Sequence, residues 1–286
     1  MHTLLKNLIK ETRHPLCVGF DPDVSDLHPF LSTQMSATPI ESFLVRWYQS
    51  AITGISGSTH SIKFQSAFFE QFGAPGVDAM RDMILDAKRR GLYTILDAKR
   101  GDISTTMAAY GKSAFDRNQS DALTILPWMG TDSLAALIPW LKQGKGIYIV
   151  WLSSNVSGRD IQMMSTSDQR SVARSVFQRF YDFAQAENVT QQIGWVLGAT
   201  DIPQEVIQDL PPGEHAFLLP GIGAQGAKFD HKTTTLTKNH PASLFPISRG
   251  ILKPDKTDVI HSWDDYSAFV SKRWNGFIAA WNTAQN

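Results

Sequence analysis

Cysteine is almost absent from the 286 residues. The single thiol, Cys17, excludes an intrachain disulfide, and its place in the apolar run LCVGF suits a small buried hydrophobe. A reducing, cytoplasmic setting is the expected compartment. An excess of charge of either sign is missing too. Lys plus Arg and Asp plus Glu number 27 each, so no global field would draw the chain to nucleic acid or to an anionic membrane. Any anionic ligand must be caught by a local site. No apolar run is long enough to cross a bilayer. The opening MHTLLKNLIKETRHP interrupts its apolar residues with Lys6, Lys10 and Glu11 at helical spacing, as an amphipathic helix does and a secretory signal does not. The sequons at Asn118, Asn155 and Asn188 then read as chance matches. Nucleophile and metal motifs are also wanting: the eight His show no H-x-x-x-H or comparable spacing, and there is no G-x-S-x-G elbow or Cys–His pair.

What is present is a core and a rhythm. With 42% apolar and 10% aromatic residues the chain can bury a sizeable interior. Eight short apolar runs recur: LCVGFD (16–21), SIKFQS (61–66), LYTILD (92–97), ALTILP (122–127), IYIVWL (147–152), GWVLGA (194–199), AFLLPG (216–221) and LFPISRG (244–250). Such runs, apolar on both faces, suit parallel strands covered by helices. Helical patterns fall between them at Ser42–Ile52, Val77–Arg90, Thr106–Asn118, Ser133–Leu141, Gln169–Glu187, Pro203–Gln208 and Ser262–Thr283. Eight alternating units predict an α/β fold of the TIM (β/α)8 barrel type, with an open doubly wound sheet as the alternative. No repeat, low-complexity tract or linker divides the chain, so residues 1–286 are expected to form a single domain. The stretch 224–242 is polar, lacks helical periodicity and joins the last two strands. With its flanking turn it predicts a phosphate-closing loop at 221–243.

In a barrel the site gathers at the carboxyl ends of the strands. Charge stands at four of these ends: Asp21, Lys63, the pair Asp97 and Lys99 in LDAKRGD, and Arg249 in SRG. A solvated turn is the ordinary fate of such residues. Asp97 and Lys99, two apart, would share one strand face, and Asp102 follows in the loop. If that face is the barrel mouth, the three form a carboxylate–ammonium–carboxylate row that Lys63 extends. Desolvated charges in a row are costly unless paired, which favours function over stabilisation. GIGAQG (221–226) matches the G-x-G-x-x-G dinucleotide fingerprint, but no strong helix pattern follows it, and a ribose-holding acid some twenty residues on is lacking. It reads better as a nest of backbone N–H groups that forms a phosphate site with Arg249. A Mg²⁺ cage is disfavoured because Lys63 and Lys99 interleave with the acids.

LDAKRGDI (96–103) resembles the D-x-K-x-x-D signature of orotidine 5′-phosphate decarboxylases, in the form used by the bacterial type 2 subgroup. GFDP (19–22), IKFQSAFFE (62–70), SSN (153–155), GAT (198–200), PGIGAQG (220–226) and SRGI (248–251) are similar to that subgroup in order and spacing. The resemblance implies a metal-free, cofactor-free lyase of orotidine monophosphate, a homodimer with shared sites. It implies that Asp21 and Lys63 hold ribose hydroxyls, that Asp97 faces the substrate carboxylate and that Lys99 donates the proton. Asp102 and Thr106 match residues contributed by the neighbouring subunit. Ser154, or else Ser153, would bond the pyrimidine amide. Arg249 with the backbone of Pro220, Gly221 and Gly223 would take the phosphate, and Gln225 matches the same motif. Two alternatives stand beside this reading. One is a metal-dependent sugar-phosphate decarboxylase or aldolase, which shares the signature but is expected to carry an acid where Lys63 stands. The other is a non-catalytic phosphoribosyl-binding barrel.

Overall fold

The computed structural model describes residues 1–200, 202–203, 207, 210, 214–223 and 226–285. Its strands are β1 Leu16–Phe20, β2 Ser61–Gln65, β3 Tyr93–Arg100, β4 Ala122–Ile125, β5 Gly146–Leu152, β6 Ile193–Leu197, β7 Ala216–Leu218 and β8 Phe245–Ile247. They form one eight-stranded sheet, ordered β7-β6-β5-β4-β3-β2-β1-β8, and every pairing is parallel. The two edges meet through a parallel bridge between Leu218 and Leu244, with Leu244 N donating to Phe217 O at 2.7 Å and Leu219 N to Leu244 O at 2.8 Å. The sheet is therefore a TIM barrel and not an open doubly wound sheet.

Strand periodicity sorts the core into two layers. One alternating set, including Val18, Phe20, Phe64, Leu96, Ile149, Trp195, Phe217 and Phe245, packs outward under the helices. The other set, Cys17, Tyr93, Ile95, Ala122, Tyr148, Val196, Ala216, Leu218 and Leu244, fills the interior together with Met1 and Leu5 of the opening segment. The amphipathic helix anticipated there runs His2–Thr12 and plugs the floor of the barrel. Its buried His2 reaches Ile193 O at 2.7 Å, and Met1 lies so close to Gly146 that a Cβ there would fall 2.4 Å from the Met1 sulfur.

Helices match the expected patterns closely at Ile40–Gly54, Ala74–Arg89, Val172–Ala186 and Trp263–Ala284. The pattern at 106–118 resolves as Ser104–Gly111 followed by a π-helical turn Lys112–Arg117. That at 133–141 splits into Asp132–Ala135 and Ile138–Leu141, with Pro139 in the first turn of the second piece. Most of Pro203–Gln208 lies outside the described residues.

One expectation needs correction. Within 221–243, residues His231–Asn239 form a helix, started by a capping box between Asp230 and Thr233. Threonine is a weak helix former, and the buried face, Thr233, Thr234, Leu236 and Thr237, is mostly Thr, so an apolar count finds no period. The hydroxyls satisfy themselves on the preceding turn, Thr234 on Asp230 O at 2.9 Å and Thr237 on Thr233 O at 3.0 Å. Of the described residues in 221–243, those at 221–223, 226–230 and 240–243 lie outside this helix.

Candidate active site

The inward-facing column of each strand is apolar at the floor and turns polar towards its carboxyl end. In β3 it climbs from Tyr93 and Ile95 to Asp97, in β2 from Ser61 to Lys63 and Gln65, and in β1 from Cys17 through Gly19 to Asp21 just past the strand. These ends surround a cavity of about 280 Å³, lined by Asp21, Lys63, Gln65, Asp97, Lys99 and Ser154 on one side and by Pro220, Gly221, Ser248 and Arg249 on the other. Val196, Leu218, Ile222 and Pro246 supply its apolar wall.

The polar side is a chain of alternating charges. Lys63 Nζ lies 3.3 Å from Asp21 Oδ1 and 3.0 Å from Asp97 Oδ2, and Lys99 Nζ donates to Asp97 Oδ1 at 2.6 Å. Two neutral donors complete Asp97: Gln65 Nε2 to Oδ2 at 3.2 Å and Thr124 Oγ1 to Oδ1 at 2.9 Å. Burial alone would raise the Asp97 pKa, but the charges of Lys63 and Lys99 outweigh it and hold the carboxyl at about 2. Burial likewise works against the Lys63 ammonium, and the flanking Asp21 and Asp97 more than reverse that, raising its pKa. Lys63 and Asp97 are thus held charged at neutral pH. Lys99 sits at its open end, with 42% of its side chain accessible.

Asp102 and Thr106 stand elsewhere. Asp102 accepts from Ile103 N at 2.8 Å and makes no ion pair among the described residues, and the row expected within one chain stops at Lys99. The reason is local: β3 continues to Arg100, whose guanidinium reaches Glu70 and lies 5.2 Å over the Tyr110 ring. The chain then turns outward, and Thr106 is exposed in the helix Ser104–Gly111.

Ser154 and Ser153 are distinguished by their surroundings. Ser154 lines the cavity, whereas the Ser153 hydroxyl accepts from Gln162 Nε2 at 3.0 Å, away from it. Gly198 makes this approach possible, since a Cβ there would lie 2.6 Å from Ser154 Cα. At the far side Arg249 begins a short helix, Arg249–Leu252, and its side chain is exposed at the mouth. Pro220 and Gly221 face the cavity, but Gly223 does not line it. Its N–H goes to Ala227 O at 3.1 Å, while Ala227 N returns to Gly221 O at 3.2 Å. Gly223 adopts φ +79°, and its amide is taken by Ala227 O and not presented to the cavity. Gln225 lies outside the described residues. Sequence reasoning passed over Gln65, Thr124 and Ser248. Gln65 carried a usable signal, two residues from Lys63 on the same strand face.

Comparison with known proteins gives a consistent result. Residues 15–259 match the family model described as orotidine 5′-phosphate decarboxylase / HUMPS family. The chain is 34% identical to an orotidine 5′-phosphate decarboxylase of Streptomyces coelicolor, over 91% of this chain and 93% of that one. It is 32% identical to one from Salinispora tropica, over 84% and 85%. Among solved structures, the OMP decarboxylase of Leishmania donovani superposes with a TM-score of 0.68 at 27% identity, covering 97% of both chains.

Proposed function

Since the chain belongs to the orotidine 5′-phosphate decarboxylase / HUMPS family, we propose that it is a carboxy-lyase that converts orotidine 5′-monophosphate to uridine 5′-monophosphate and CO2, a step of pyrimidine biosynthesis. The observation that carries this reading over a metal-dependent sugar-phosphate reaction is Lys63. A buried ammonium wedged between Asp21 and Asp97 occupies the place where an oxygen ligand would be needed for a divalent ion.

In this reading the nucleotide spans the cavity with its phosphate at Arg249 and the turn at Pro220 and Gly221. Its ribose hydroxyls lie against Asp21 and Lys63, and the pyrimidine amide against Ser154. The C6 carboxylate then faces Asp97, beside Lys99. Loss of CO2 leaves an electron pair in the plane of the ring, orthogonal to its π system, so ring resonance helps little. An adjacent ammonium stabilises that pair electrostatically and then delivers a proton to C6. Asp97, ionised at neutral pH, aims the Lys99 side chain. No cofactor enters the scheme. The remote phosphate contact supplies binding energy that closure of the expected loop at 221–243 can convert into rate.

Asp102 and Thr106 enter this scheme from a second copy of the chain. Ile103, Trp128 and Met129 are exposed on the adjoining turns after β3 and β4, at 45%, 60% and 52%, and make a mixed apolar surface beside Asp102 that suits a homodimer contact. The buried free thiol Cys17 fits a reducing cytoplasm.

The deciding experiment follows the loss of orotidine monophosphate absorbance after exhaustive EDTA treatment. Full turnover in metal-free buffer is the expected result. Activity that disappears and returns with Mg²⁺, or that appears only with a sugar phosphate, would overturn the reading.

A further inference from the structure

Building on the decarboxylase reading of the same cavity, we propose that Thr124 is the positioning residue of Lys99: one buried hydroxyl holds the lysine's backbone in place and aims Asp97 at its ammonium. Lys99 adopts φ +48°, the left-handed region that a side chain enters at a cost of about 1 kcal/mol or more. The strain arises where β3 and β4 fall out of step. Between Leu96 and Arg100 β3 advances four residues while β4 advances two, from Leu123 to Ile125. A ladder stretched this way cannot offer a carbonyl to every N–H of β3.

The Lys99 amide is given to the Thr124 hydroxyl, with N to Oγ1 at 2.9 Å. A hydroxyl has one hydrogen and two lone pairs. Having accepted from Lys99 N, Thr124 directs its hydrogen to Asp97 Oδ1, also at 2.9 Å, the oxygen that receives Lys99 Nζ at 2.6 Å. The two ends of Lys99, amide and ammonium, are thereby tied to one point on β4. Thr124 is fully buried and does not line the cavity, so it acts through Lys99 and Asp97 without touching the nucleotide. Valine has the same shape and is at home in a strand, so packing of β4 does not demand the hydroxyl. Replacing it would leave the Lys99 amide without a partner and strip Asp97 of one of its four donors.

The test compares Thr124→Val with Thr124→Ser. With orotidine monophosphate, Thr124→Val is expected to lower kcat by about 10- to 100-fold, the scale of one or two buried hydrogen bonds, and to leave KM within about 3-fold. Thr124→Ser should retain most of kcat. A readout that does not depend on turnover accompanies these: amide hydrogen exchange at Lys99 should be protected in the wild type and in Thr124→Ser, and at least about 10-fold faster in Thr124→Val. Retention of kcat within about 2-fold in Thr124→Val, an equal fall in Thr124→Ser, or a change carried by KM alone would refute the role. If the valine variant does not fold, a freely exchanging Lys99 amide in the wild type refutes it, and protection kept in Thr124→Ser supports it. Should the wild type fail to turn over orotidine monophosphate, the functional reading falls, and the exchange data still decide whether Thr124 holds Lys99.

Discussion

The two ends of this barrel bury polar groups by opposite strategies. At the mouth, Lys63 and Asp97 are buried as ions, each compensated by opposite charge. At the floor, His2, His14, His60 and His240 are buried without a carboxylate partner, bonded instead to backbone groups such as Ile193 O, Ser58 O and His14 O. Burial, the leading cause, drives the pKa values of His2, His60 and His240 down to about 4. Nearby cations push the same way, the N-terminal amine and Lys6 on His2, and so do the neighbouring imidazoles of His215 and His14. A site that must present charge to a substrate keeps its ions and pairs them. A floor that only closes the barrel keeps its buried imidazoles neutral.

Substitutions at the open rim of the mouth, away from the buried ions Lys63 and Asp97, should therefore cost activity and leave stability nearly untouched, and the largest such effect belongs to Lys99. Lys99→Ala is expected to lower kcat by at least about 10³-fold, since it removes both the stabilising charge and the proton. The midpoint of thermal unfolding should hardly move, because a half-exposed ion pair contributes about 1 kcal/mol or less. A small kcat effect with a large drop in melting temperature would erase the distinction between the ends.

Next in size is Arg249→Ala. Loss of a charge-assisted phosphate contact should raise KM and reduce kcat/KM for the nucleotide by about 10²-fold, corresponding to roughly 2–3 kcal/mol. The phosphate-free nucleoside should respond little. Equal losses with both substrates, measured side by side, would place Arg249 away from the phosphate.

The floor is probed by pH. A histidine whose folded pKa is depressed binds fewer protons folded than unfolded, so its neutral burial is fully tolerated above about 6.5 and destabilises progressively as pH falls from there towards 4. Asp97, depressed to about 2, contributes stability above the ordinary carboxylate pKa near 4 and loses it only between 4 and 2. Denaturant titrations at pH 7 and pH 5 should consequently report the floor alone. Each buried imidazole is expected to cost about 1–2 kcal/mol across that interval, and His60→Gln should flatten the decline by that amount. An unchanged slope in the variant would show that His60 is not part of the titrating set.

The smallest signal sharpens what belongs to the mouth of a single chain. Co-refolding inactive Lys99→Ala with inactive Asp102→Ala should restore about a quarter of wild-type turnover if Asp102 serves the partner's site, because half the random dimers are mixed and each has one intact site. No recovery, with subunit exchange verified by differently tagged chains, would assign Asp102 to its own chain or to neither.

How much of this was legible beforehand varies with the kind of residue. Two-residue spacing anticipated the meeting of Asp97 and Lys99, although β3 leaves regular register between Leu96 and Arg100, and the eight apolar runs became eight strands because strand geometry leaves little choice. Thr124 was silent. A hydroxyl in an apolar strand has no distinguishing pattern, and its importance depends on a register shift that arises only when β3 meets β4. Asp102, already in the loop beyond the strand, makes no ion pair with Lys99 among the described residues, because strand alternation does not govern a turn. Gly223 is a different case: its amide donates to Ala227 O, an engagement that a pattern of glycines does not reveal. The helix His231–Asn239 was hidden by threonine, whose buried face carries hydroxyls that only back-bonding renders compatible with a core.

The plugged floor has a kinetic consequence. Met1, Leu5, Cys17, Tyr93 and Tyr148 close the interior below the cavity, which makes the barrel a cup and not a tube. Among the described residues the interior is closed behind the cavity, so substrate entry, CO2 departure and nucleotide release share one rim. The product nucleotide therefore has to vacate before the next substrate arrives, and any nucleotide that fills the cup competes for the same vacancy. At high substrate concentration the rate of emptying through that rim becomes a natural ceiling on turnover.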